Sequence, residues 1–468
     1  MNIREVIEKD LIEFKNKDYI FQKVDGEYTP IKFNDFIYKS KCLASYLIDK
    51  GLKDKKILVI GVNSINIMIA DMAATIYTGV CVNIAADTSS EDLEEAVTDI
   101  DIAAILYTSE QSDKIAELNV DIEKVNLDEV IPSLDYCGEE FKEYNSETCS
   151  KIVFSSGSTS KPKGVMLSLK NIFAGWNSLQ RRTKFGIDDV IYLFLPLNHT
   201  YANIYNFYYS LLSGLSIYLC SDTKKIGEEL REVNPTIFCA VPLIYERIAE
   251  AYGNNVEGAF GDRIRFLYTG GAPISSELKQ VYKNAGLEVL GSYALSETAS
   301  SFSIDYPGDT DENDVGVIFE DIEAKIIDAN EEGIGEIAAK GDCIFLGYTM
   351  DIPNCFTEDG FFRTGDLGYI KNKKLFITGR KKKVLIGSNG ENIYIEDIVA
   401  KIKEMDANVN HVRLHLKGNK LCALFYLADA EKTDVDSLVR KYNDASSKKN
   451  QIAEYKVSNR KNFTKLVV

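Results

Sequence analysis

Residues 155–164 read SSGSTSKPKG, a run of hydroxyl side chains with two glycines and two lysines, set between the apolar stretches 152–154 and 165–167. This composition can hold an anion. Gly157 lets backbone amides converge, Ser155, Ser156, Ser158 and Thr159 add donors, and Lys163 brings a positive charge. The spacing is not that of the Gly-x4-Gly-Lys-Ser/Thr nucleotide loop, because five residues on from Gly157 stands Pro162. Composition alone leaves two readings open, a flexible polar linker and a loop that wraps phosphate. The proline and the apolar flanks favour a shaped loop.

Other reactive side chains are sparse. The chain has three histidines, and His199 stands far from the other two, so it is either a satisfied core residue or a group near a reacting centre. His411 and His415 alternate with Val412 and Leu414 as in a strand, with no cysteine or acid at ligand spacing, which excludes a zinc site there. Nine cysteines are scattered singly from Cys42 to Cys422 without a Cys-x-x-Cys pair, against a disulfide framework and in favour of a reducing compartment.

The elements that must carry these groups follow from periodicity. Short apolar runs at 56–60, 81–84, 103–107, 191–195, 216–220, 236–241 and 265–268 read as buried strands. Helix-like segments such as 65–79 and 91–97 lie between them. Alternation of this kind implies α/β architecture with parallel sheets covered on both faces. After about residue 314 the strands shorten (323–327, 335–339, 375–377) and Gly- and Asn-containing turns join them, as in a small antiparallel unit. A basic cluster, 380–383, precedes a last segment that reads as a separate α+β module. With 468 residues, two or more domains are the expectation.

Charge excludes one class of partner. A net charge of −17 with scattered lysines lacks the basic stripe that nucleic-acid binding requires. The N-terminus is charged from Arg4 onward and has no apolar signal core. Residues 67–86 hold a single charge, Asp71, but Thr75, Thr78, Gly79 and Asn83 interrupt them, so a buried helix running into a strand is expected rather than an integral membrane span. The expected compartment is cytoplasmic.

The order of the motifs decides what the 155–164 loop is. Phe154-Ser-Ser-Gly-Ser-Thr-Ser-Lys-Pro-Lys-Gly-Val-Met-Leu-Ser168 resembles the signature loop of the adenylate-forming (AMP-binding) superfamily. Further segments follow in that family's order: Leu195-Pro196-Leu197-Asn198-His199, Val241-Pro242, Gly270-Gly271-Ala272-Pro273, Gly291-Ser-Tyr-Ala-Leu-Ser-Glu-Thr298, Arg363-Thr-Gly-Asp366 and Gly379-Arg-Lys-Lys382. The stretch Val241-Pro-Leu-Ile-Tyr-Glu-Arg247 and the 386–392 loop are most similar to bacterial long-chain acyl-CoA synthetases.

The resemblance implies a large N-terminal domain, residues 1–381, of two α/β subdomains plus a small β-rich unit. A small mobile α+β C-terminal domain, 382–468, would follow after a hinge at Lys382. It implies ATP and Mg²⁺ as cofactors and a small-molecule carboxylic acid as substrate. The acid becomes an acyl-adenylate with release of pyrophosphate, then a thioester on CoA or on a carrier-protein phosphopantetheine. In this frame Ser155, Ser156, Gly157, Ser158, Thr159 and Lys163 cradle the β- and γ-phosphates. Gly270, Gly271, Ala272 and Tyr293 line the adenine. Ser296 meets the α-phosphate, Glu297 ligates the metal, and Asp366 accepts from the ribose hydroxyls with Arg380 nearby. Lys465 bridges carboxylate and α-phosphate, and His199 lies near the acyl and pantetheine ends of a tunnel.

The acid itself is expected to be fatty. Amino-acid-activating relatives place an aspartate where residues 190–221 of this chain hold no acid, and an ammonium buried without a carboxylate is costly. The aromatic run 201–209 is open between a core helix and part of an acyl pocket. Departures from the family pattern are Ser160 and Ala294 at glycine positions, Leu169 at a common histidine position, and a short C-terminus without the usual glycine before Lys465. They keep a catalytically weak binding or regulatory homologue open as an alternative.

Overall fold

The computed structural model describes residues 3–8, 14–135, 137, 141, 145–155, 163–272, 274–308, 314–381, 384–386, 392–417, 420–429, 432–446 and 450–458. They fall into two compact units. The first comprises Met1–Ala324, Ala339–Cys355 and Asn372–Leu375, and the second Lys325–Ala338, Phe356–Lys371 and Phe376–Val468. Lys382 lies outside the described residues.

The first unit is built on two sheets, as the alternation predicts. One has the order Gly347–Tyr348, Lys163–Ser168, Cys149–Ser155, Val80–Asn83, Lys56–Ile60, Ile102–Tyr107, Glu123–Asn126. Its last five members are parallel, and their inner strands are near-continuous apolar runs because helices cover both faces. Cys149–Ser155 then turns back antiparallel on Lys163–Ser168 with Ser155 opposite Lys163. The 156–162 segment between them lies outside the described residues. The other sheet carries six parallel strands in the order Val289–Tyr293, Phe266–Thr269, Ile237–Ala240, Val190–Leu193, Ser216–Leu219, Asp18–Val24. A cluster of Tyr192, Phe238, Tyr245, Phe260, Leu267 and Tyr282 fills one of its faces.

Residues 67–86 are buried as expected, but the helix changes its winding. The Ser64 hydroxyl caps an α-helix, Ile65–Met72, by accepting the Ile67 N–H at 3.2 Å. The next turn, Ala73–Thr78, is a π-helix. It stops at Gly79, where a Cβ would lie 2.4 Å from the Lys55 carbonyl oxygen, so only glycine fits. The aromatic stretch winds the same way, as a π-helix over Tyr201–Tyr208. Among the described residues no helix is long and apolar enough to cross a membrane.

The second unit ends in the α+β module that the sequence predicts. Strands Val409–Lys417 and Lys420–Leu427 pair antiparallel, and Ile452–Val457 joins the latter in parallel. Helices Ile395–Met405 and Val435–Asp444 bury Ile398, Ile402, Leu438 and Val439 against Val412, Leu414 and Phe425. His415 is exposed while Val412 and Leu414 are buried, the alternation expected of that strand.

One buried carboxylate pair in the first unit makes stability depend on pH. Asp305 Oδ2 accepts the Gly291 N–H at 2.9 Å, while the fully buried Asp314 pairs with Lys374 at 3.0 Å. Burial first, and the Asp314 charge second, push the Asp305 carboxyl up to about 8, with Lys279 opposing. An unfolded aspartate ionises near 3.8, so between roughly pH 4 and 8 the folded chain holds one proton more than the unfolded chain. Stability therefore falls as pH rises through that window. Thermal melts at pH 5, 6.5 and 8 should show this decline in the wild type and a flatter profile in Asp305→Asn; parallel profiles would contradict the assignment.

Candidate functional site

In parallel sheets, ligands bind beyond the carboxyl ends of the strands, and the motif residues of the first unit gather there. Val190–Leu193 runs on into residues 195–200. Phe266–Thr269 runs into Gly270, Gly271 and Ala272, and Val289–Tyr293 into residues 294–297. Asn63 clamps the first of these connections, donating its amide to the Leu195 carbonyl at 2.8 Å and accepting the Leu197 N–H at 2.9 Å. Gly271 takes φ +81°, a conformation that suits glycine, and with Ala272 it leaves this turn open to solvent. The Ser292 hydroxyl donates to the Thr269 carbonyl at 2.9 Å, and the Tyr293 ring packs on Phe302 with centroids 5.1 Å apart.

Ser296 and Glu297 sit half-buried at the start of a short 3-10 turn, Ser296–Thr298. The Ser296 hydroxyl lies 3.1 Å from Thr200 Oγ1, which joins the 195–200 connection to this turn. Glu297 Oε1 accepts the Tyr348 hydroxyl at 2.7 Å. The 344–349 segment that carries Tyr348 is itself pinned. The Phe345 N–H donates to the Glu297 carbonyl at 2.9 Å, Leu346 N–H to Met166 at 2.9 Å, and Thr349 N–H to Gly164 at 2.8 Å. The Lys163 ammonium stands 5.3 Å from the centre of the Tyr348 ring. Burial and then the Glu297 charge push the Tyr348 phenol well above its ordinary pKa, so its proton stays on the donor side of that hydrogen bond.

Tyr348 is a site residue that the sequence reading missed. It lies 51 positions from Glu297, and a Gly-Tyr pair in a Gly-rich segment carries no signal of its own. A hydrogen bond to a charged acceptor is worth about 1.5–3 kcal/mol, so Tyr348→Phe should lower kcat/KM about tenfold and raise the Mg²⁺ concentration needed for half-maximal rate. Unchanged metal dependence would remove Tyr348 from the site.

His199 is not a core residue. It is exposed at this end of the sheet, and the protein around it still costs the imidazolium enough solvation to lower its pKa, against an opposing pull from Asp87. The aromatic run is packed in the interior from 202 to 209, with Tyr201 partly buried: Tyr201 donates to the Tyr268 carbonyl at 3.3 Å, and Tyr205 meets Tyr201 edge-on and Tyr209 at a tilt.

Asp366 and Arg380 belong to the second unit. Asp366 is buried, and its Oδ1 pairs with Arg380 Nε at 2.9 Å while the guanidinium remains exposed. Its N–H donates to Thr364 Oγ1, which in turn donates to the Ile337 carbonyl at 2.8 Å. Ser156, Gly157, Ser158, Thr159, Lys382 and Lys465 lie outside the described residues, as does the side chain of Ser155.

The family model for the AMP-binding enzyme matches residues 12–349, well over half the chain. The chain belongs to the AMP-binding enzyme family. Among curated proteins, this AMP-binding enzyme is 22% identical to the long-chain-fatty-acid–CoA ligase ACSBG2 of Rattus norvegicus, over 88% of this chain and 75% of the relative. It is 24% identical to human long-chain-fatty-acid–CoA ligase 1, over 81% of this chain and 66% of the relative. Among solved structures, ATP-bound MatB from Rhodopseudomonas palustris superposes with a TM-score of 0.84 at 22% identity, covering 98% of this chain and 95% of its own. O-succinylbenzoate coenzyme A synthetase (MenE) from Bacillus subtilis in complex with AMP gives 0.83 at 20% identity, covering 97% and 95%. These two share the fold. The α/β architecture read from strand–helix alternation is thus that of the adenylate-forming enzymes, and the chain is an AMP-forming acid–thiol ligase.

Proposed function

We propose that this enzyme activates a carboxylic acid, most simply a fatty acid, with ATP and passes the acyl group to the thiol of CoA. The observation that carries the reading is the convergence of Thr200, Ser296, Glu297, Tyr348 and Lys163 at the strand ends, beside the hairpin that delivers the 155–164 loop. In the first step a carboxylate oxygen attacks the α-phosphorus, the bond to the bridging oxygen of the β-phosphate breaks, and pyrophosphate leaves. In the second the thiol sulfur attacks the acyl carbon and AMP leaves with the carboxylate-derived oxygen.

The resident residues divide this work by charge. Lys163 and the hydroxyls of Ser155, Ser156, Ser158 and Thr159, with the Gly157 amide, hold the leaving pyrophosphate. Ser296, backed by Thr200, donates to the α-phosphate. Gly270, Gly271, Ala272 and Tyr293 receive the adenine. Asp366 accepts from the ribose, with Arg380 beside it, and Lys465 neutralises carboxylate and α-phosphate as they approach. Donors aimed at developing charge lower the barrier of such chemistry more than any other single effect. Glu297 fits Mg²⁺: it is a half-buried carboxylate whose Oε1 is oriented by the Tyr348 hydroxyl, and one carboxylate plus phosphate oxygens and water is the usual donor set of that ion. Bound there, Mg²⁺ would neutralise phosphate charge. The fatty-acid reading draws support from the names of the curated relatives and from the absence of an acid across residues 190–221. The change of acceptor face between the two steps is assigned to rotation about Lys382.

Acid-dependent ATP–pyrophosphate exchange over fatty, aryl, dicarboxylic and amino acids tests this. Exchange stimulated by fatty acids, with acyl-CoA among the products by mass spectrometry, is the expected result. No stimulation by any acid would overturn the enzyme reading, and product formed only on a holo carrier protein would move the acceptor from CoA to that carrier.

A further inference from the structure

The single charge in the apolar stretch 67–86 has a partner that the chemistry above leaves unused. Asp71 is 1% exposed and Lys151 is fully buried, and Lys151 Nζ donates to Asp71 Oδ2 at 2.7 Å. The same oxygen accepts Asn203 Nδ2 at 2.8 Å and Asn83 Nδ2 at 2.9 Å, while Oδ1 accepts the Tyr208 hydroxyl at 2.7 Å. Burial alone would raise the Asp71 carboxyl, but the Lys151 charge and these donors outweigh it and hold the pKa below the ordinary carboxylate value. Replacing such a pair with apolar residues of similar volume is often neutral or stabilising, whereas fixing the register between elements is its best-attested use.

The elements it joins are those that deliver the site. Lys151 lies on Cys149–Ser155, four residues before Ser155, and the strand continues into the 155–164 loop. Asn203 lies one turn beyond His199, whose carbonyl accepts its N–H at 2.9 Å, and Thr200 of that turn touches Ser296. The π-winding makes this reach possible. With bonds from i to i+5, residues five apart share a face, so Asn203 and Tyr208 both meet Asp71; in an α-helix they would diverge by about 140°. The hub itself sits beside the other π-turn, Ala73–Thr78, from which Thr75 donates to Asp71 at 3.4 Å.

We propose that the Asp71–Lys151 pair is a positioning element for the nucleotide site, holding the strand that carries the phosphate loop in register with the helix that carries His199 and Thr200. This rests on the nucleotide-binding reading above. The test is MgATP binding by calorimetry without any acid, together with melting temperature, for the wild type, the apolar double variant Asp71→Leu/Lys151→Met, and Asn203→Ala/Tyr208→Phe, which keeps the ion pair and removes both of its links to the helix. The apolar double variant also strips the Asn83, Asn203 and Tyr208 donors of their acceptor, so it should melt lower than the wild type and, where folded, bind MgATP about tenfold more weakly; Asn203→Ala/Tyr208→Phe should lose about fivefold. In exchange assays the KM for ATP should rise while the KM for the acid stays. Variants that fold and bind MgATP like the wild type overturn the proposal and leave the nucleotide reading standing. If the apolar double variant does not fold, Asn203→Ala/Tyr208→Phe decides alone: wild-type affinity sinks the idea. A wild type that binds no MgATP overturns both readings.

Discussion

Glu297→Gln is expected to lower acid-dependent ATP–pyrophosphate exchange by 10²–10³-fold at saturating ATP and acid. The substitution keeps shape and keeps an acceptor for the Tyr348 hydroxyl, so the 344–349 segment retains its anchor and the melting temperature should stay within a few degrees. What disappears is one negative charge at the point where, in the proposed reading, a divalent cation and the phosphates meet. Losing an aimed electrostatic group typically costs about 2.7–4 kcal/mol of transition-state stabilisation, which corresponds to that range of rates. The deficit should appear in kcat and in the Mg²⁺ dependence together. A variant within threefold of the wild type, at the same Mg²⁺ optimum, would remove Glu297 from the metal-binding role.

The second large effect falls on the other unit. Asp366→Ala should raise the KM for ATP by about 10²-fold, with kcat at saturation changed only a few-fold. In the proposed reading this carboxylate accepts from both ribose hydroxyls; at about 1.5–3 kcal/mol per charged hydrogen bond, losing the two corresponds to at least about 10²-fold. The partner guanidinium of Arg380 is exposed and stays solvated when its carboxylate goes, while the carboxylate itself is buried, so a fall in melting temperature should accompany the loss and binding is compared among folded molecules. An unchanged KM for ATP in a folded variant would mean that the nucleotide's sugar lies elsewhere.

Much of this chemistry can be read from the chain because it depends on residue identity within short segments. SSGSTSKPKG has the glycine, hydroxyls and lysine that a phosphate loop needs, and the ordered motifs that follow it, rather than its composition, favour that reading over a polar linker. Gly270-Gly271 likewise stands at the end of a strand, Phe266–Thr269, whose apolar run announces itself, whereas Val289–Tyr293, which leads to Ser296-Glu297, was not among the strands predicted. The parallel sheets were legible for the same reason, since strands buried on both faces are nearly continuous apolar runs, as 57–60 and 237–240 are.

What the linear order hid are pairings across distance. Asp71 reads as an isolated charge that weakens a membrane span. Only the fold brings Lys151, 80 positions away, to its side, and only π-winding turns Asn203 and Tyr208 toward the same carboxylate. Helical periodicity predicted one α-helix over 65–79, because apolar spacing does not distinguish a turn bonded i to i+4 from one bonded i to i+5. Tyr348 shows the same limit, since its neighbours in sequence say nothing of Glu297. Motifs are local in sequence because they meet one ligand group each, and so the chain alone established the enzyme family and the class of its chemistry. Burial of charge is a property of three-dimensional surroundings, so the tertiary structure alone decided which polar groups orient the site and which elements they hold in register.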